Sequence, residues 1–262
     1  MLLFLGHLGP LLLFWGFILK KILIGLGCLF MATSAFSAHH EASEPQVAEL
    51  FDCSLNDGVT AGDVAALGAG DFAAFAEEHE LTMTSFLWEA IAVNPPFQEP
   101  DVRWVNYYPT WGDYFKGEAS WREHGSKVAA KIDKLVTCAK PSTWTVHPAG
   151  EEAPAASVKP LYIRVCNLKE GSTMKNALAY RKAVNSVQNG QIESSVGSYV
   201  FTPGFGASGF DYAAMVTGTP EDMTAVFENS RNGSTAALLT EAGMTEPSNC
   251  SVDLHKSHMM VN

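Results

Sequence analysis

Cys53-Ser54-Leu55-Asn56-Asp57-Gly58-Val59-Thr60 returns further along the chain as Cys166-Asn167-Leu168-Lys169-Glu170-Gly171-Ser172-Thr173. The shared pattern is Cys-x-Leu-x-acid-Gly-x-Thr. Its glycine suits a turn that other residues resist, and its threonine suits the cap of a following helix. The downstream cysteines keep step, since Cys53 to Cys138 spans the same length, to within one residue, as Cys166 to Cys250. Between them, Asp101-Val102-Arg103-Trp104-Val105 matches Asp211-Tyr212-Ala213-Ala214-Met215 in place and character. Three matches in one order at nearly one offset predict a tandem duplication. The copies are 39–147 and 160–262, joined by a linker at 148–159 that is rich in Pro and Ala and has no periodicity.

The second copy reads most clearly. Leu161 to Leu168 alternates as a strand, Gly171 and Thr173 give a turn and a cap, and Met174, Ala177, Leu178, Val184 and Val187 form a helical stripe. Ser195 to Thr202 and Asp211 to Thr217 read as strands on either side of a glycine-rich connection. Thr219-Pro220-Glu221-Asp222 opens a second helix, and Ser251 to Val261 is the last strand. The first copy repeats this order, with a second helix striped by Trp121, Val128, Ile132 and Leu135. The order β-α-β-β-α-β predicts an α+β ferredoxin-like unit whose last strand lies antiparallel beside its first. Cys53 then meets Cys138 and Cys166 meets Cys250, as antiparallel neighbours within disulfide reach. The fold expected is two tandem ferredoxin-like units packed sheet to sheet as an intrachain α/β barrel.

Two linked copies of this unit resemble the dimeric α/β-barrel superfamily, and the resemblance covers everything after residue 38. That superfamily includes cofactor-free monooxygenases, haem-degrading and haem-dependent enzymes, isomerases and small stress-related proteins without assigned chemistry. The chain is also similar to exported proteins of marine gammaproteobacteria that carry the same duplication. Such a resemblance implies a fold and leaves the activity open, because one fold hosts many. In haem-degrading members an Asn on the first strand and a Trp and a His on the second helix surround the cofactor. Here the resemblance points to Asn56, Trp121 and His124, with a Trp-to-His spacing shorter than in that pattern.

Residues 1–38 read as a signal peptide: Lys20 and Lys21, an apolar core from Ile22 to Phe30, and small residues from Ala32 to Ala38. Leu19 reads as the true start, with 1–18 over-translated. Two apolar runs split by lysines make a poor membrane span, and Gly25 sits badly for lipidation at Cys28. The protein is therefore expected in the periplasm or secreted, with no stable membrane insertion after cleavage. Four cysteines remain after cleavage, and an even count in an exported chain reads as disulfides. The chain has 28 acidic against 17 basic residues and a formal charge of −11. Removing the leader takes away two of those bases, so nucleic acid and anionic lipid are excluded as partners.

Tryptophan is the largest difference between the copies: Trp88, Trp104, Trp111, Trp121 and Trp144 all lie in the first. Core packing accounts for such residues in general; an imbalance between copies points to a pocket for a small hydrophobic or aromatic molecule. Its expected border is Trp88, Trp104, Tyr108, Trp111 and Trp121. His124 and Asn56 are the weak catalytic candidates. His39 and His40 would stand near a freed amino terminus, where they are weak copper- or nickel-ligand candidates. His255 and His258 fall on opposite strand faces, and Gly204-Phe205-Gly206-Ala207-Ser208-Gly209 joins two strands, out of context for a dinucleotide loop. No cofactor is predicted, haem being kept only for the alternative below.

The main functional reading is a periplasmic small-ligand-binding barrel protein. The alternatives are a cofactor-free monooxygenase or haem-linked enzyme, and a structural envelope protein; whether the chain is an enzyme, and whether it self-associates as a homo-oligomer, stay open.

Overall fold

Both glycines of the repeated motif take left-handed backbone, Gly58 at φ 75° and Gly171 at φ 78°. Each turn ends one strand and delivers a threonine to a helix start. Thr60 accepts a hydrogen bond from the Asp63 N–H while the Asp63 carboxylate accepts one from the Thr60 N–H. Thr173 and Asn176 repeat that capping box. The matched aspartates also act alike: Asp101 Oδ2 accepts the Leu55 N–H at 2.8 Å, and Asp211 Oδ2 accepts the Leu168 N–H at 2.7 Å.

The computed structural model describes residues 44–94 and 100–262, which fall within one compact unit. The expected leader at 1–38 and the candidate ligands His39 and His40 lie outside the described residues. Among the described residues, no helix is long and apolar enough to cross a membrane.

In the first half the elements are β1 (Gln46–Leu55), α1 (Ala61–Leu67), a π-turn at Gly68–Phe72, α2 (Ala73–Glu78), β2 (Thr84–Ala92), β3 (Val102–Tyr108), α3 (Trp111–His124), α4 (Ser126–Ile132), β4 (Val136–Cys138) and β5 (Ser142–Pro148). The second half has β6 (Val158–Leu168), α5 (Met174–Asn189), β7 (Gly197–Pro203), β8 (Tyr212–Thr217), α6 (Pro220–Arg231), α7 (Ser234–Glu241) and β9 (Ser248–Val261). The connection between halves is residues 149–157, shorter than the linker expected because both flanking strands extend into it.

All strand pairs are antiparallel, and they run in a circle: β1–β3–β2–β9–β6–β8–β7–β5–β1. The short β4 pairs with the far end of β1, in line with β5. The sheets of the two halves do more than face one another. Their edges hydrogen-bond, β2 to β9 and β5 to β7, so one eight-stranded barrel closes and no edge strand of it is left open. Cys53 stands directly opposite Cys138 and Cys166 opposite Cys250, and both pairs form disulfides.

Alternation along each strand splits the side chains into two sets. One fills the barrel interior, where Ala48, Trp88, Val105, Tyr107, Trp144, Val146, Leu161, Ile163, Phe201 and Met215 pack together. The other faces the helices. Over the first half it forms a large layer with Phe72, Phe75, Leu87, Trp104, Tyr108 and Met260. Over the second half the helix-facing core is divided among smaller clusters around Tyr212, Met223 and Tyr180. The helices of the first half also hold the second half's last strand: a Cβ on Gly68 would stand 2.1 Å from Met260 Sδ.

Candidate functional site

On β1 the helix-facing residues are Val47, Glu49, Phe51 and Cys53; on β3 they are Val102, Trp104, Asn106 and Tyr108. The β1–β3 register sets Glu49 opposite Asn106 and Phe51 opposite Trp104. Above this floor, α3 presents Gly117, Glu118 and Trp121 at helical spacing, and the π-turn and α2 bring Phe72 and Phe75. Thr110 fixes where α3 begins by accepting the Asp113 N–H at 3.1 Å. Gly117 lets the helix come close, for a Cβ there would lie 3.1 Å from the Tyr108 ring. These elements border a half-open cavity of about 200 Å³, further lined by Leu81, Met83, Ile132, Asp133 and Val136. Phe72 packs edge-on to Trp104 at 5.0 Å and to Trp121 at 5.9 Å.

A short hydrogen-bond chain runs along the floor. Ser85 Oγ and Trp104 Nε1 both donate to Asn106 Oδ1, at 2.8 and 3.0 Å. That fixes the amide, so its Nδ2 donates to Glu49 Oε2 at 3.2 Å. Glu49 Oε1 is buried with no hydrogen-bond partner, and the residue is only 2 % exposed. Burial raises the Glu49 carboxyl to about 7; the Asn106 amide opposes the rise, the Glu118 carboxylate adds to it, and the Tyr114 hydroxyl opposes it. Tyr114 is pushed up to about 12 by burial and by Glu49 and Glu118. A carboxyl that can be neutral or charged near neutral pH can anchor a ligand or move a proton.

The corresponding place in the second half is occupied by a tyrosine. Counting back from the half-cystine as Glu49 stands from Cys53, Cys166 leads to Tyr162, which pairs with Val216. The Tyr162 hydroxyl accepts from Gln188 at 3.2 Å, and its ring packs with Met223 and Val226. Nearby Arg181 is buried against Glu246 Oε1 at 2.6 Å.

Of the expected border, Trp104, Tyr108 and Trp121 meet in the cavity. Trp88 and Trp111 do not join them. Trp88 falls on the inward face of β2 and borders a separate space of about 270 Å³ inside the barrel, with Phe86, Tyr107 and Tyr199. Trp111 opens α3 on the solvent side, 37 % exposed, against Tyr114, Phe115 and Phe205. Asn56 ties β1 to the α4–β4 turn, donating to the Asp133 carbonyl at 3.0 Å and accepting from Thr137. The His124 side chain is 46 % exposed, 3.7 Å from Glu123, with its ring stacked on His79 at 4.7 Å. His255 is buried, whereas His258 bonds Glu89 at 2.9 Å. The Gly204–Gly209 run is the β7–β8 connection.

Glu49 was missed, yet a signal for it exists. The alternation Val47-Glu49-Phe51-Cys53 puts a carboxylate on the same strand face as a half-cystine, which is a buried face.

No family model matches the chain, and no curated protein matches it. Among solved structures, a double mutant of chlorite dismutase from Candidatus Nitrospira defluvii is similar, with TM-score 0.50 and 6% identity over 83% of this chain and 92% of that one. The chlorite dismutase of that organism in complex with imidazole is similar too, with TM-score 0.45 and 7% identity over 81% and 92%. The closed circle of strands and the first of these likenesses agree. The chain has the dimeric α/β-barrel fold. At such identity a likeness carries the fold and nothing of the chemistry.

Within this dimeric α/β barrel, the residues the superfamily would bring to haem do not converge. Asn56 and His124 both lie off the cavity, no histidine among the described residues lines it, and about 200 Å³ is below the roughly 300–1,000 Å³ of pockets for drug-sized ligands. Among the described residues, no group of three metal-ligating side chains comes together. The residues present do not fit haem in this cavity.

Proposed function

We propose that the chain is an exported small-ligand-binding barrel protein, whose first half holds a hydrophobic or aromatic molecule of about one ring between its sheet and helices. The observation that carries this is the aromatic cavity with one buried carboxyl oxygen of Glu49 left without a hydrogen-bond partner. An engineered apolar cavity of about 150 Å³ binds benzene, so the space suits a single-ring ligand. The second half, where Tyr162 occupies the matching place, serves as the structural partner. The shared turn, capping and aspartate geometries support an origin by tandem duplication of a ferredoxin-like unit. Both disulfides support work outside the cytoplasm, in the periplasm or secreted.

A cofactor-free enzyme is the second reading, and Glu49 favours it. A buried carboxyl raised to about 7 beside aromatic side chains is placed to take or return a proton.

Tryptophan emission, followed while single-ring aromatics and separately haem are titrated in, tests the binding reading. Saturable change with the single-ring compounds and no Soret shift with haem is the expected outcome. A saturable Soret shift would favour the haem-linked reading. Emission that no compound alters would leave a purely structural barrel.

A further inference from the structure

The lining of the first-half cavity is chemically one-sided. Among the described residues it includes three carboxyl residues, Glu49, Glu118 and Asp133, and no lysine, arginine or histidine. We propose that this cavity is a site for a small protonated amine carried on a single ring, its ammonium group bound by Glu49 and Glu118 among the aromatic side chains. The inference deepens the ligand-binding reading above and rests on it.

Three observations lead there. First, the Asn106 amide is fully engaged, and although the Tyr114 hydroxyl also faces Glu49 from α3, it stands outside hydrogen-bonding geometry to Oε1. Asn106 Oδ1 already accepts from Ser85 and Trp104, its Nδ2 serves Glu49 Oε2, and Glu49 Oε1 stays buried and unpartnered. What that oxygen lacks is a donor, and an ammonium supplies three. Second, the walls are aromatic rings, Phe72, Phe75, Trp104, Tyr108 and Trp121, whose electron-rich faces attract cations in desolvated sites. Third, charge selects against the alternatives. An anion would meet Glu118 and Asp133 with no base to balance them, and a ligand without a donor would leave Oε1 as it is.

The proton on Glu49 follows from the same surroundings. From β3 it faces Asn106 and Tyr108, and from α3 Tyr114 and Glu118; Asp133 of the α4–β4 turn and the phenyl rings of the π-turn and α2 complete the lining. With no cation among them, burial keeps the carboxyl at about 7. A bound ammonium favours the carboxylate, so binding at pH 6 releases a proton and binding at pH 8 releases almost none. Amine affinity therefore rises from pH 6 to pH 8.

Benzylamine, benzyl alcohol and benzoate have nearly one shape and differ in charge. Calorimetric titration of each into the full protein, at both pH values and in buffers of different ionisation heat, tests the proposal. Benzylamine should bind about tenfold more tightly than benzyl alcohol, with proton release at pH 6, and benzoate should not bind. Glu49→Gln should bring the amine and alcohol affinities to within about twofold of each other, and Glu118→Gln should narrow the gap less. Benzyl alcohol or benzoate binding as well as benzylamine would overturn the amine assignment while leaving the ligand-binding reading intact. Failure of all three to bind would overturn both.

Discussion

Glu49 is buried at a cost to the fold, with one carboxyl oxygen left without a hydrogen-bond partner. Its carboxyl is neutral in the fold at pH values where an unfolded chain ionises it, because burial raises it from 4.5 to about 7. For a group raised by folding, the stabilising difference is complete below the unfolded value and is lost as pH rises through the folded one. The wild-type protein should therefore lose up to about 3 kcal/mol between pH 4.5 and pH 7 relative to Glu49→Gln. Urea melts of both proteins at pH 5 and pH 8 read this directly; parallel losses in the two would remove Glu49 as the cause. His255 works in the opposite direction. Burial, with Arg103 beside it, lowers His255 to about 4, so its stabilising difference is present above pH 6.5 and is lost as pH falls toward 4. Neither residue was legible in sequence as a titrating group, because the shift belongs to what packs over it.

Among the elements outside the barrel, the π-turn between α1 and α2 reaches across to the last strand of the other half. Gly68 sits so close to Met260 that an added Cβ would meet Sδ at 2.1 Å, Cγ at 2.7 Å and Cβ at 3.0 Å. More than the flexible tip of that side chain is in the way. Gly68→Ala should cost about 1–3 kcal/mol by overpacking, and Met260→Ala in the Gly68→Ala background should recover part of it, a coupling that a double-mutant cycle measures. The helix caps are simpler. Thr60→Ala and Thr173→Ala should each cost about 1 kcal/mol in thermal or urea melts, since each threonine satisfies an orphan N–H of its helix. These caps, the strands and the second helices were legible from periodicity and turn residues. Which helix face would close over a cavity was not: Trp121 and Trp111 lie on one helix, yet only Trp121 turns inward.

At the scale of the whole molecule, closure makes the halves depend on each other. The edge strands of each half, β2, β5, β7 and β9, find their outer partners in the other half. The tryptophans of the described residues all belong to the first half, so their emission reports that half alone. Replacing Cys166 and Cys250 together by Ala removes a cross-link only from the second half, where it closes a span of 84 residues. Loss of a native disulfide typically costs about 2–5 kcal/mol. The tryptophan-detected transition should shift down together with the one detected by circular dichroism. A tryptophan transition left in place would mean that the halves unfold separately.

The repeated motif, its two cysteine partners and the strand–helix order were enough, from sequence alone, to give the disulfides, the coarse order of strands and helices, and the barrel class. The division of the second helices, and of the first half's last strand into β4 and β5, was not among them. Each legible feature is set by local conformational preference or by a covalent constraint that repeats at fixed spacing. The tertiary structure alone decided which tryptophans share a space, that Glu49 lies beneath them, and that one of its oxygens has no donor. Those facts depend on which strand face meets which helix and on how closely Gly117 lets that helix approach. Sequence spacing does not encode such distances, because they arise only when residues far apart in the chain pack together.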